Sequence, residues 1–287
     1  MTTIANLNRE NGSQSDALDC VVTSYATTRI TFDDANSLRK QSDILPGDLG
    51  NSILRHCDEQ TLTALVAVKD TIGRFETAVD SFKDWGVVVS TRYLGRSAFA
   101  QALNKFATDG PWNVSVQVVP NRSLHSPASM IGLALGCHGP CVGVGGGLDG
   151  ETDAWLTATS LLDQQSLPGI WVIFTGWEPD KRIDVEGTPL TDTSCTALAL
   201  ALQPTSSGTG AARLRIAYDP SAPAELDVPA PETAMSRFED FVAAGSNGSG
   251  MKAMLGGGLK IEMNWSTPMP TIIPMPRRSD IARKKAA

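Results

Sequence analysis

The chain has 287 residues, of which 41% are hydrophobic and 19% charged, a balance typical of a soluble globular protein with a sizeable core. Its net charge of -7 disfavours a nucleic-acid surface, which would need clustered positive charge. No apolar run reaches the roughly 18 residues of a membrane helix, so a membrane span is not expected.

The predicted organisation is a disordered leader over residues 1–18, one domain over 19–265 and an irregular basic tail over 266–287. Five cysteines, an odd number, and the lack of a recognisable signal peptide predict a cytoplasmic protein with free thiols. The tail is expected to be solvated, with an electrostatic contact to an acidic partner as the alternative. Its cations are Arg277, Arg278, Arg283, Lys284 and Lys285.

Helical and extended periodicities alternate along the chain, which predicts an α/β layered domain with helices on both faces of a sheet. Strands are predicted over 19–30, 85–90, 112–120, 142–144, 169–176, 193–203, 212–218 and 259–265. Helices are predicted over 58–82, 96–106, 126–135, 149–162 and 234–244. Loops, turns or linkers are predicted over 43–50, 204–210, 222–231, 245–258 and 266–276, which are rich in Gly or Pro.

The most informative stretch is 139–150, which reads Gly-Pro-Cys-Val-Gly-Val-Gly-Gly-Gly-Leu-Asp-Gly. It predicts a short buried strand, a glycine-rich elbow and a helix capped by Asp149. Such an elbow holds one side chain at a helix N-terminus, where free amides and the helix dipole favour negative charge. The glycines are interpreted as serving close backbone packing. The alternative is a Gly-x-Gly-x-x-Gly fingerprint ending at Gly150, which would make the protein a dinucleotide-binding reductase.

Cys137, His138 and Cys141 form a Cys-His-x-x-Cys pattern just before the elbow. Because no second ligand pair accompanies it, no metal site is expected. A thiolate beside an imidazole would be an activated nucleophile, but packed thiols are favoured, since Cys141 falls in a strand and Cys137 at a helix end. His125 is interpreted as a structural histidine, with an acid–base role as the alternative.

The elbow and the order of the elements resemble the N-terminal half of β-ketoacyl synthases, which have the thiolase-like fold. The Gly139–Pro140 pair that begins the strand, and the small-residue helix before it, match that family. The resemblance covers about residues 19–265 and extends to short, single-half members. It implies an α/β/α half with a five-stranded mixed sheet and a C-terminal extension.

The departures from the family pattern concern its catalytic residues. In the family a nucleophilic Cys lies eight residues after the Pro, and counted from Pro140 that position is Leu148. The chain also has no His after His138, whereas synthases keep activating histidines in their second half. The resemblance therefore implies no catalytic residue, no cofactor and no independent condensing activity.

What the resemblance implies instead is a non-catalytic, chain-length-factor-like partner of an active condensing enzyme in polyketide, polyene or fatty-acid-type biosynthesis. Its partner would be a ketosynthase subunit, in a homodimer or a heterodimer, with an acyl carrier protein as a further acidic partner. The alternative is an active acyltransferase on the same fold, with Cys141, Cys137 or a hydroxyl as nucleophile.

Two sets of residues follow from the resemblance. The elbow and its pocket would comprise Gly145, Gly146, Gly147, Leu148 and Asp149. The edge strand at the dimer two-fold axis would comprise Cys141, Val142, Gly143 and Val144. An apolar edge strand left open offers unpaired backbone groups to another strand, so we expect a dimer.

Overall fold

A single mixed sheet organises the computed structural model, which describes residues 17–40, 51–75, 82–146, 150–164, 166–178, 194–207, 210–219, 250–255 and 258–265. Within these residues it has eight strands in the order β3-β2-β4-β5-β1-β6-β8-β7. They are β1 (Ala17–Thr31), β2 (Gly86–Arg92), β3 (Cys141–Gly146), β4 (Ile170–Glu178), β5 (Ser194–Pro204), β6 (Ala212–Tyr218), β7 (Met251–Leu255) and β8 (Leu259–Trp265). Strand β2 pairs in parallel with β3 and β4, and the other pairs are antiparallel.

The sheet is larger than the five strands predicted. The first five strands of the chain form the portion β3-β2-β4-β5-β1, and β6, β8 and β7 continue it beyond β1. The extension begins where residues Ala17 to Val22 of β1 pair with Ala217 to Ala212 of β6. Periodicity identifies β6 and β8 as strands, but it does not reveal which strands they pair with, so the sheet size was underestimated.

Seven α-helices of the described residues flank the sheet or connect its strands. They are α1 (Phe32–Leu38), α2 (Asn51–Leu54), α3 (Glu59–Ile72), α4 (Arg96–Asp109), α5 (Val118–Arg122), α6 (His125–Leu135) and α7 (Gly150–Gln164). Short 3₁₀ turns lie at Pro111–Asn113 and Thr205–Ser207. Helix α7 packs on one face of the sheet, and α3 and α6 pack on the other, as the layered prediction requires.

Three element predictions are wrong in part or in full. The helix predicted over 58–82 ends at Ile72, and Gly73 caps it. Residues 112–120, predicted as extended, form a 3₁₀ turn and the start of α5, because Pro111 and Pro120 suit first helical turns and no strand lies beside them to pair with. Residues Met251–Leu255, predicted as part of a flexible segment, form β7, which pairs with β8. The disordered leader predicted over 1–18 is wrong at its end, because Ala17 and Leu18 pair with β6 as part of β1. Residues 1–16, loop 43–50, linker 222–231, helix 234–244 and tail 266–287 lie outside the described residues.

Continuous apolar runs explain the central strands, because both of their faces are covered. Val87 and Val89 pack on the α3–α6 side, Val88 packs on the α7 side, and all three have 0% exposure. The same alternation holds in β4, where Trp171 lies on the α3–α6 side and Val172 on the α7 side. Burying each such side chain stabilises the fold by roughly 1.5–3 kcal/mol, and together they fix the strand ends that carry the candidate site.

Candidate functional site

The glycines of the elbow allow the end of β3 and the start of α7 to touch. Gly145 has a left-handed φ of 82°, and a Cβ there would lie 2.6 Å from Cα of Gly150. A Cβ on Gly150 would in turn lie 2.9 Å from Oγ of Ser90, on the neighbouring strand β2. Any side chain at either position would collide with these atoms, so close packing accounts for both glycines.

The tip of the elbow lies outside the described residues. Strand β3 ends at Gly146 and α7 begins at Gly150, so the tip comprises Gly147, Leu148 and Asp149. The end of β3 and the start of α7 nevertheless agree with the predicted strand–elbow–helix order. Gly146 lies at the carboxyl end of a parallel strand, the end at which open α/β sheets bind ligands.

A charged cleft lies near the same ends of the parallel strands, and sequence reasoning did not single it out. It is lined by Asp58, Glu59, Arg92, Tyr93, Gly95, Arg96, Ser97 and Trp177. Tyr93 has a left-handed φ of 53°, a strained conformation for a residue with a side chain. The guanidinium carbons of Arg92 and Arg96 lie 5.6 and 5.4 Å from the centroid of its ring, within cation–π range.

The two carboxylates of the cleft are structural partners of arginines from other elements. Asp58 caps α3 by accepting a hydrogen bond from the amide of Gln60 at 2.9 Å, and Nε of Arg122 lies 3.7 Å from its other oxygen. Glu59 accepts from Nη2 of Arg39 at 2.7 Å. The sequence signals that could have located the cleft are a helix that starts at Asp58 and the arginines that follow the buried strand β2.

The two cysteine candidates lie at the opposite end of β3 from the elbow. Cys141 is the first residue of β3 and lies about 13 Å from Gly145 at the strand rise per residue. Cys137 precedes Cys141 in the chain, just after the end of α6. The thiol of Cys141 donates to the carbonyl of Gly139 at 3.7 Å, and burial raises the pKa of this thiol. Burial, with a smaller effect of Cys141, raises the pKa of Cys137 to about 12. Both thiols are therefore held protonated near neutral pH.

The histidine candidates point to solvent rather than to the elbow. His138 is exposed, and its amide donates to the carbonyl of Lys83 at 2.6 Å. His125 is exposed at the first turn of α6, which does not fit the structural role favoured for it. The structure therefore does not bring Cys137, Cys141, His125 and His138 together with the elbow into one site.

Strand β3 lies at the edge of the sheet described, as predicted. The amide of Val87 donates to the carbonyl of Pro140 at 2.8 Å, and bonding directions alternate along a parallel strand. The amides of Cys141, Gly143 and Gly145 are thus directed to the open side, whereas those of Val142 and Val144 face β2. Val142 and Val144 are partly buried against the α7-side core.

The described residues contain no group of three or more His, Cys, Asp or Glu side chains that could hold a metal ion. They also include no helix that is both long and apolar enough to traverse a membrane.

Solved structures that superpose on this chain include ketosynthases and chain length factors. The chain superposes with a TM-score of 0.52 and 10% identity on the ketosynthase ApeO in complex with its chain length factor ApeC from Xenorhabdus doucetiae, over 86% of this chain and 99% of that chain. The ishigamide ketosynthase/chain length factor gives a TM-score of 0.48, 16% identity and coverage of 70% and 68%. No family model and no curated protein matches the sequence.

The fold is therefore an α/β/α layered domain of the thiolase-like class, with an extended sheet. It is the fold of ketosynthases and chain length factors, and this conclusion depends on the superposition that covers nearly the whole of the matched chain.

Proposed function

We propose that this protein is a non-catalytic ketosynthase-like subunit, comparable to a chain length factor, that pairs with an active condensing enzyme of polyketide, polyene or fatty-acid-type biosynthesis. The observation that carries the proposal is the composition of the elbow. On a ketosynthase fold, the tip between Gly146 and Gly150 offers only Gly147, Leu148 and Asp149. None of them has a thiol or hydroxyl with which to form an acyl-enzyme.

The cysteines elsewhere support the same proposal. An acyl-transfer nucleophile needs a lowered pKa or an adjacent base. Burial raises the pKa values of Cys137 and Cys141 instead, and their thiols lie at the wrong end of β3. These observations count against the alternative of an active acyltransferase that uses either cysteine.

The position of the elbow counts against the other alternative, a dinucleotide-binding reductase. In a dinucleotide fingerprint the first glycine serves the tight turn and the third serves close packing of the helix on the strand, so the contacts of Gly145 and Gly150 fit either interpretation. A dinucleotide, however, binds in the crevice at the switch point of the strand order, whereas β3 lies at the edge of the sheet described. We therefore propose no cofactor for this site.

The partner is proposed from the fold and from the open edge of β3. ApeO and its chain length factor ApeC form a complex, and the superposition covers nearly all of the matched chain. An uncovered edge strand would leave the outward amides of Cys141, Gly143 and Gly145 available to a neighbouring strand. An acyl carrier protein is proposed as a second, acidic partner of the basic tail, and the cytoplasm as the location.

Intact-mass spectrometry of the purified chain tests the lack of catalysis. After incubation with acyl- and malonyl-carrier proteins, we expect no added mass and no condensation product. The matched variant Leu148→Cys should gain slow self-acylation but still no condensation, because no histidine follows His138. Turnover by the unmodified chain, or acylation at Cys141 or Cys137, would contradict the proposal.

A further inference from the structure

The charged cleft has no role in the function proposed above. It lies at the carboxyl ends of β2 and β4, between the first turns of α3 and α4. In the pairing register, Arg92 on β2 is level with Gly146, the last residue of β3 before the elbow tip. The cleft therefore borders the strand that leads into the elbow but includes no residue of the elbow itself.

The two carboxylates of the cleft are matched by arginines that lie outside it. Oε1 of Glu59 lies 2.7 Å from Nη2 of Arg39, and Oδ2 of Asp58 lies 3.7 Å from Nε of Arg122. Opposite charges at these distances offset much of the negative potential of the carboxylates. The carboxylates therefore do not exclude an anion from the cleft.

Arg96 brings a positive charge to the mouth of the cleft. Its side chain is exposed, and within the part of the chain that the structure describes no ion pair involves it. It is the first residue of α4, a 14-residue helix with no acidic residue in its first turn and no side-chain cap. A helix N-terminus disfavours a cation and favours an anion, so a bound anion would relieve this arrangement.

A buried hydroxyl beneath the cleft points to an occupant independently of the helix. Thr91 is 1% exposed, and its Oγ1 has no hydrogen-bond partner in the described part of the chain. Thr91 is paired with Thr175 on β4, so its side chain projects from the same face of the sheet as that of Trp177, which lines the cleft. A buried donor without an acceptor is costly, so an acceptor oxygen from outside the chain is expected here.

The size of the cleft limits what it can enclose. Its enclosed volume is about 10 Å³, which is room for one water-sized oxygen. An oxyanion group fits this space, because it can place one oxygen inside and leave the others at the mouth. The first-turn amides of α4 and the guanidinium of Arg96 lie at that mouth, and a guanidinium pairs with two oxygens of a phosphate or carboxylate.

We propose that the cleft binds the oxyanion group, phosphate or carboxylate, of a small ligand, with Arg96, the first turn of α4 and the Thr91 hydroxyl as its donors. Binding is non-covalent and needs no further reactant. The proposal does not depend on the function proposed above, because it uses no residue of the elbow tip or of the β3 edge.

Isothermal titration calorimetry of the full chain tests the proposal. Inorganic phosphate in one series and acetate in another distinguish the two sources of an oxyanion, and sodium chloride at the same ionic strength controls for screening. We expect saturable binding of one equivalent of at least one oxyanion, and a preference for one of them identifies the group that the ligand carries. Heats from both anions that equal those from chloride would overturn the proposal.

Variants of Arg96 test where the anion binds. Arg96→Gln should weaken binding about tenfold, the loss expected when a hydrogen bond between charged groups is removed. Arg96→Lys should retain part of the affinity, because it keeps the charge and loses the fork. Arg213→Gln is the matched control, since Arg213 is an exposed arginine on β6, and it should leave binding unchanged. Both arginines are exposed, so circular dichroism should show all three variants folded.

Thr91→Val tests the buried hydroxyl at nearly constant shape. It should weaken anion binding several-fold without lowering the melting temperature of the anion-free protein, because the deleted hydroxyl has no acceptor in the described part of the chain. Thr28→Val deletes a hydroxyl that donates to Oδ2 of Asp70 at 3.2 Å, so it should lower the melting temperature and leave anion binding unchanged. Saturable binding that is the same in Arg96→Gln and Thr91→Val as in the unmodified chain would place the anion elsewhere and overturn the proposal.

Discussion

The two edges of the sheet differ in chemistry. The β3 edge, Cys141–Gly146, has no charged residue. At the β7 edge, Lys252 is exposed and its Nζ donates to Oε1 of Glu262 on β8 at 3.2 Å, while Nζ of Lys260 donates to the same oxygen at 3.1 Å. Charged side chains discourage an edge from pairing with another chain. The contrast fits the proposal that a partner covers the β3 edge while the β7 edge faces solvent.

The charge on the β7 side extends over several strands. The pairing registers align Asp19 with Arg215, Arg215 with Glu262, and Glu262 with Lys252. Charges of alternating sign therefore cross the four strands β1, β6, β8 and β7, and opposite charges in directly paired positions stabilise a sheet. The β3 side has no such row, so its stability depends on packing.

The largest effect is expected at the elbow that follows β3. If the tip is packed, Leu148→Ala should lower the free energy of unfolding by about 2–5 kcal/mol. Leu148→Asp should lower it further, because it would bury an unpaired charge. Chemical denaturation measures both.

In parallel, NAD and NADP should leave the melting temperature unchanged, because a ligand raises it only if it binds the folded state. A clear shift with nucleotide and a mild Leu148→Ala variant would favour the reductase alternative.

A smaller effect should distinguish the two edges directly. Gly143→Val introduces a side chain against the backbone of Leu124 and His125, and overpacking of this kind costs about 1–3 kcal/mol or more. Lys252→Val places the same side chain on the β7 edge, where Lys252 is exposed, and should leave the free energy of unfolding almost unchanged. Lys252→Val should also promote aggregation, because it removes the charge that protects that edge. Equal costs for both variants would erase the contrast between the edges.

The sequence predicted the elements whose signal is local. The apolar runs of β2 and β4 and the apolar spacing of α3 identified two strands and a helix because the buried faces impose those periods. The elbow was predicted for the same reason, since Gly145 and Gly150 are needed where backbones touch.

Features that depend on distant partners could not be predicted in this way. Alternating Val114, Val116 and Val118 suggested a strand, but no strand pairs with them and their segment forms a turn and a helix on the surface. The sheet extension depends on the pairing of β6 with β1, which no local pattern encodes. The charged cleft likewise gathers Asp58, Arg92 and Trp177 from three separate elements.

The smallest expected effect is the pH dependence of the protected edge. Hydrogen bonds from Lys260 and Lys252 hold the pKa of Glu262 below its ordinary value of 4.5. A depressed pKa in the folded state contributes stability that is present above the unfolded pKa and is lost as pH falls through the folded pKa. Glu262→Gln should therefore be less stable than the unmodified chain at neutral pH, and the difference should shrink as pH falls below about 4.5. Urea denaturation at a series of pH values measures it. Because the ion pairs of Glu262 with Lys252 and Lys260 are open to solvent, added salt should reduce the difference in stability. Lys40→Met changes an exposed lysine elsewhere and should not reproduce that difference. A difference in unfolding free energy between Glu262→Gln and the unmodified chain that persists at low pH would mean that Glu262 stabilises the edge through packing rather than charge.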